Sequence, residues 1–576
     1  MLRHGNLRIA AFIFIAVMAA YSGSLFYSFS WDDILLIRDN NFIKSPANLP
    51  KLISRDYLTS RSDIEFLGKN DIGSGETSYR PVRTLFSMLI YALGGSDPFI
   101  FHLFSIMLHA ANAVLFFFLV LFLTNRKNIS LAASLFFALH PIQGESVSCI
   151  TFNTDLLAFF FMMSSLLFHI KASPFQNTGK NAWPRHGISW CLFLLACFSK
   201  EMAVTLPLFV VLFDYFFVCE KKIGSLLTRW KIYLGYVFCA VFYLWVRLFV
   251  FGAKNGDIGY PGGSLYTIAA VFARYILWLL MPIFVHPTLP DDAGLIVHSL
   301  ANPVFWVSVA ALAIVLAAGY FYGKKNSLVA FSYFWFFISL LPVSKLSMNF
   351  MAARYLYIPS AGFFILAACL SMKVAPKAVF SKIAVFSVTS LILFFSLFGF
   401  VNNASWRNDA TLWARLTRDY PGNALAHSTF AYHLLNMGVV NEAIREYKEA
   451  IALDPAYAQD RVGLGNAYLR NNKMDEAAAC FIKAIELDAK SDAAYIGLGQ
   501  ALAQKKQLDK AINSFEKAKE INPRSAEAWD ALGVSYANLG NWPEAKKSFL
   551  KALEISPYYF PSKRNLELLE RVEAKI

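Results

Sequence analysis

Two adjacent carboxylates, Asp32 and Asp33, stand in YSFSWDDILLIRDN, just beyond the first long apolar run of the chain. A carboxylate at a membrane edge can take the proton of an acceptor hydroxyl, and a close pair can instead hold a divalent cation such as Mg or Mn. Polar groups inside apolar runs mark further candidates, because each costs free energy in hydrocarbon. His102, Ser105, His109 and Asn112, spaced 3, 4 and 3, share one helical face. They read either as hydrogen bonds between helices or as the lining of a hydrated cavity. His140 and Glu145 stand between two apolar runs, with Asp155 inside the second; Lys200 and Glu201 interrupt another run at a hairpin. Arg354, Tyr355 and Tyr357 in ARYLYIPS form either an interfacial anchor or a clamp for phosphate, and Arg80 and Arg83 in SYRPVRTLF add two more cations. A base for a hydroxyl and cations for a departing phosphate suit an enzyme whose donor is a lipid-linked sugar phosphate.

The elements that must position these groups are membrane helices, since 57% hydrophobic and only 16% charged residues exclude an ordinary soluble enzyme. The net charge of +14 does not point to nucleic acid, because the basic residues fall in short clusters between apolar runs, where they set topology. Spans are expected near 7–28, 98–124, 128–141, 145–170, 186–198, 201–218, 231–250, 303–322, 327–342, 355–372 and 382–401, about eleven in all. The first is read as a span rather than a cleaved signal. Eleven spans put every basic cluster on the cytoplasmic side and leave 264–285 as a helix on the outer face. The N-terminus is then cytoplasmic, while the acidic pair opens an external loop, 29–97, on the same side as the C-terminus. The seven cysteines show no CxxC spacing, so neither a disulfide framework nor a metal knuckle is indicated.

From about 421 a 34-residue period appears. Pro421, Pro455, Pro523 and Pro557 fall on it, as do Gly465, Gly499 and Gly533, then Ala443, Ala477, Ala511 and Ala545. The period and its small residues are those of tetratricopeptide repeats. The reading is therefore an all-α chain: a membrane domain over 1–401, a linker over 402–420, about four repeats over 421–557, and a capping helix over 558–576.

The strings SYRPVRTLFSMLIYALGGSDPFIFHLFSIMLHAANA, LFFALHPIQGESVSCITFNTDLLAFFF, SKEMAVTLPLFVVLFDY and ARYLYIPSAGFF, followed by such repeats, resemble the transmembrane and tetratricopeptide-repeat-containing O-mannosyltransferases. The acidic pair is similar to the motif of the wider GT-C glycosyltransferase class. The resemblance implies an inverting transferase that uses a polyprenyl-phosphate sugar, with a protein Ser or Thr as acceptor. It implies Asp33 as base with Asp32 as its partner. The donor phosphate then falls to Arg80, Arg83, Lys200, Arg354 and Tyr357, in a cavity lined by His102, His109, His140, Glu145, Asp155 and Glu201. The short repeat array fits a bacterial relative, in an inner membrane with site and repeats periplasmic. Asn153 stands where the resemblance leads one to expect an arginine, and Ala353 where an acid would precede the Arg of RYLYIPS. Two alternatives stay open. One is an O-antigen-ligase-like or oligosaccharyltransferase-like glycan transferase; the other is a membrane-anchored scaffold with no catalytic role, whose repeats recruit partners.

Overall fold

The computed structural model describes residues 4–53, 79–173, 182–250, 265–287, 301–343, 351–373 and 378–573. The described residues are helical, without strands, and fall into two compact units, Met1–Asn408 and Asp409–Ile576. Residues 54–78 of the expected loop 29–97 lie outside the described residues, as do the flanks of the 264–285 segment.

In the first unit, α1 (His4–Ala20) is followed by short turns that carry the acidic pair, then by α2 (Pro81–Gly94) and α3 (Pro98–Thr124). The start of α3 is fixed locally: Asp97 accepts the Phe99 N–H while Pro98 occupies the first helical position, where no N–H is missed. Next come α4 (Lys127–Leu139), the single turn α5 (Gly144–Ser148), α6 (Asn153–Ala172), α7 (Ala182–Ser199), α8 (Leu206–Phe213) and α9 (Trp230–Trp245). Then follow α10 (Leu265–Leu280), α11 (Pro303–Lys325), α12 (Ser327–Leu340), α13 (Ser360–Lys373) and α14 (Ala378–Asn403). Six described segments are long and apolar enough to cross a membrane, and six more apolar helices have 10–17 residues. This is a membrane protein.

Two of the expected spans are not continuous helices. The run 145–170 breaks at Cys149, whose backbone is extended, so that α5 ends and α6 begins on either side of a turn. The run 355–372 begins as a helix only at Ser360; residues 353–356 form a short 3-10 turn that carries Arg354. The core of the unit is aromatic and aliphatic, centred on α3, α4, α6 and α13. A buried network joins them: Tyr357 O–H faces His109 Nδ1 at 2.7 Å, His109 Nε2 donates to the Ala138 carbonyl at 2.9 Å, and Asn112 donates to the Leu156 carbonyl and to Tyr357. At the far end of α6, His169 Nε2 lies 3.1 Å from Asp214, which also accepts from Arg229 and Tyr233, both at 2.8 Å. Most polar atoms of both groups are paired within the bundle, which is the condition for keeping them there, while Asn112 Oδ1, His169 Nδ1 and Arg229 Nη2 have no partner among the described residues.

The second unit opens with α15 (Asp409–Asp419), inside the stretch expected to be a linker; Leu412, Trp413 and Leu416 are buried as it packs on the first repeat helix. Four helix pairs follow: α16 (Ala424–Asn436) with α17 (Val440–Leu453), α18 (Ala458–Arg470) with α19 (Met474–Leu487), α20 (Asp492–Gln504) with α21 (Leu508–Ile521), and α22 (Ala526–Asn538) with α23 (Trp542–Ile555). A last helix, α24 (Phe560–Glu573), covers the exposed end of the fourth pair. The glycine of the period is explained by close approach. A Cβ on Gly499 would sit 2.5 Å from the Phe515 ring, and one on Gly465 2.7 Å from Phe481. In the second, third and fourth pairs the aromatic ring of the second helix thus fills the notch left by a glycine of the first. Phe515→Ala should destabilise the solenoid by about 3–5 kcal/mol, read in the full chain as a lower urea midpoint for protease resistance of the repeat region; a loss below about 1 kcal/mol would mean the notch is not the locking contact.

Candidate active site

Asp33 is fully buried, and both its oxygens are taken. Oδ1 accepts the Thr151 N–H at 2.7 Å and faces the Cys149 thiol at 3.5 Å; Oδ2 accepts the N–H groups of Ile150 at 3.2 Å and Ser30 at 3.4 Å. The extended backbone at Cys149 is what turns those two amides toward the acid. The carboxylate has about four acceptor positions and four donors come to it. Burial pushes its pKa up to about 7, against the pull of the Thr151 and Ile150 amides. Just before the pair, Trp31 holds a left-handed backbone, φ +55°, a conformation that bulky residues adopt only when their surroundings impose it. Asp32, by contrast, is partly exposed and acts electrostatically on Arg354 and Cys149.

Beyond Asp33, three carboxylates hold four cations. Arg354 Nη1 donates to Glu145 Oε1 at 2.5 Å and its backbone N–H to Oε2 at 3.2 Å, while its guanidinium lies 4.0 Å from the centre of the Phe152 ring. Lys200 Nζ contacts both oxygens of Asp155 at 2.5 Å and sits 5.3 Å from the Tyr355 ring centre. Arg80 grips Glu201 through Nε at 3.3 Å and Nη2 at 2.9 Å, with Arg247 3.6 Å from the same carboxylate. Arg83 is buried on α2. Short segments do the positioning: the 149–152 turn, the hairpin at Lys200 and the 353–356 turn each present a side chain or amide at the same end of the bundle.

The structure therefore gathers Asp32, Asp33, Arg80, Glu145, Asp155, Lys200, Glu201 and Arg354 into one contiguous site. It places Tyr357, His109 and His140 elsewhere. The Tyr357 hydroxyl is committed to His109 and Asn112 in the packed core, and the His140 Nδ1 accepts the Ile142 N–H beside Phe395. His102 packs edge-on to Tyr27, its ring centre 6.1 Å away, and so braces the segment that leads into the acidic pair. Four contributors carried no sequence expectation as site residues: the Ile150 and Thr151 amides, the Phe152 ring and Arg247. Only Arg247 had a visible signal, as a charge in the last turn of an apolar run.

Residues 428–479 and 462–526 match one model of the tetratricopeptide repeat and 526–559 match a second. Over most of its length the chain is similar to proteins named protein O-mannosyl-transferases. It is 24% identical to TMTC3 of Homo sapiens over 526 residues, which covers 83% of this chain and 55% of that protein. It is 26% identical to F38B6.6 of Caenorhabditis elegans, covering 76% and 62%. A shorter match to TMTC2 of Homo sapiens reaches 30% identity over 36% of this chain and 24% of that one. The chain thus spans about half the length of the first of these relatives. Among solved structures, the crystal structure of MamA aligns with 28% identity over 26% of this chain and 86% of its own, with a TM-score of 0.24.

Two outcomes are expected. Lys200→Met or Asp155→Asn alone should cost about 3–5 kcal/mol, because each leaves a buried partner uncompensated, while Asp155→Leu with Lys200→Met should recover much of that loss in thermal unfolding of the detergent-solubilised protein. Asp33, with its folded pKa lifted above the ordinary 3.8, contributes stability that is complete at low pH and lost as pH rises toward about 7. The melting temperature of wild type relative to Asp33→Asn should accordingly fall between pH 4 and 7 and level off above; a flat difference would place the ionisation elsewhere.

Proposed function

We propose that this chain is an integral-membrane glycosyltransferase that moves a sugar from a polyprenyl-phosphate donor to a Ser or Thr hydroxyl of an exported protein, on the non-cytoplasmic face. The observation that carries the reading is the division of labour in the acidic pair: a buried Asp33 whose oxygens are all engaged, next to a partly exposed Asp32 in electrostatic reach of Arg354. The named O-mannosyl-transferase relatives support the same class of reaction acting on proteins.

In this reading Asp32 is the general base and Asp33 positions it, an exchange of the roles the sequence resemblance implied. A base needs a lone pair within hydrogen-bond reach of the hydroxyl it deprotonates, and Asp33 has none to spare. Asp32 takes the proton of the acceptor hydroxyl as its oxygen bonds to C1 of the sugar. The C1–O bond to phosphate breaks on the opposite face, its electron pair leaving with the phosphate, so the anomeric configuration inverts. Arg354, Lys200 and Arg80 compensate the charge that appears on the leaving polyprenyl phosphate. Arg354 is the leading contact, since its planar fork suits phosphate oxygens and the Phe152 ring holds it flat. A divalent cation, if one takes part, would be held by Asp32, because N–H donors already point at both Asp33 oxygens. The repeats would hold the protein acceptor or a partner.

Reconstituted protein, polyprenyl-phosphate mannose and a Ser/Thr-rich peptide make the test. Asp32→Asn should lower kcat by about 10²- to 10⁴-fold with little change in KM for the donor. Wild type that transfers no sugar to any peptide, or Asp32→Asn that matches it, would sink the reading.

A further inference from the structure

Asn153 is the first residue of α6, and only 1% of its surface is exposed. Neither its amide oxygen nor its amide nitrogen has a hydrogen-bond partner among the described residues. A buried amide left unpaired in this way costs about 1–3 kcal/mol for each group, so native proteins seldom keep one without a water, an ion or a ligand to satisfy it. Its position is set on both sides by the site. Thr151, two residues earlier, donates to Asp33; Phe152, the preceding residue, lies under the Arg354 guanidinium; Asp155, two residues later, holds Lys200. Among the other buried groups in the same condition, two belong to the segments that meet at Asp33: the hydroxyls of Ser30, whose N–H reaches Asp33, and of Ser146, three residues before the Cys149 break. All three groups are neutral and can both donate and accept, in a site whose cations are already held by carboxylates. A phosphate or a metal ion would call for charge. A sugar ring calls for neutral groups that donate to one hydroxyl and accept from its neighbour.

We propose that Asn153, together with the Ser30 and Ser146 hydroxyls, forms the subsite that reads the hydroxyl groups of the transferred hexose and so sets which sugar is used. The inference rests on the glycosyltransferase reading and adds the residue that discriminates among donors. A site built to bond a hydroxyl rejects a sugar that lacks it or points it the other way, because its own polar groups are then left unpaired.

The experiment is a competition between polyprenyl-phosphate mannose and polyprenyl-phosphate glucose, which differ at one hydroxyl, for transfer to a common Ser/Thr peptide by the reconstituted full chain. The ratio of kcat/KM values should shift by about tenfold or more in Asn153→Ala. Binding of polyprenyl phosphate without a sugar should stay within about twofold of wild type, since its phosphate is held by other residues. Asn153→Ser, which keeps one neutral hydroxyl, is measured beside it and should fall between the two. A ratio unchanged in both variants, with wild type active, overturns this inference and leaves the transferase reading standing. Wild type that transfers neither sugar overturns the transferase reading itself.

Discussion

The N–H groups of Ile150 and Thr151 emerge from a broken helix in a place closed to water, and it is the Asp33 carboxylate that receives them. Everything near the site depends on that exchange. Backbone donors buried without acceptors would be costly enough to forbid the break at Cys149. Without the break, α5 and α6 would run on as one helix, Phe152 would not face Arg354, and Asp155 would be turned away from Lys200. The acid in turn could not stay buried without the amides. Each half makes the other tolerable, and the strained backbone of Trp31 shows that the chain is bent to bring them together.

Around the clasp the cations are held by carboxylates: Arg80 and Arg247 by Glu201, Lys200 by Asp155 and Arg354 by Glu145. A site of this kind suits a reaction in which charge is created during the step. In the proposed reaction the donor phosphate carries a single negative charge before bond cleavage, and the cations are satisfied by their own carboxylates. As the C1–O bond stretches, new charge appears beside groups already fixed in place, so the interaction strengthens in the transition state rather than in the bound substrate. The cost lies in stability, because every pair must be kept whole.

How much of this was legible in the sequence follows from what kind of atom does the work. The repeats were legible almost to the residue, because Gly465 and Phe481 recur at a fixed distance and each requires the other's shape. The span over Pro98–Thr124 and its polar face were legible too, as was the acidic pair. The roles within the pair were not. Asp32 and Asp33 differ only in which one meets the backbone of a turn 117 residues away, and backbone amides leave no mark on the sequence. For the same reason the break at Cys149 was invisible in a run that is apolar on both sides. The polar stripe on α3 was seen, but its meaning required Tyr357, 248 residues from His109, to arrive as its partner.

The helix α6 is tied at both ends by buried side-chain contacts, Asp155 to Lys200 at one and His169 to Asp214 at the other. The anchors are 14 residues apart in sequence, which is about 21 Å along the axis. Sliding or rolling this helix would break both contacts at once. In mechanical terms it is a strut, and a donor entering or a product leaving must be admitted by the turns that meet its end. The 353–356 turn and the Lys200 hairpin meet that rod at its Asp155 end, where Lys200 is bound.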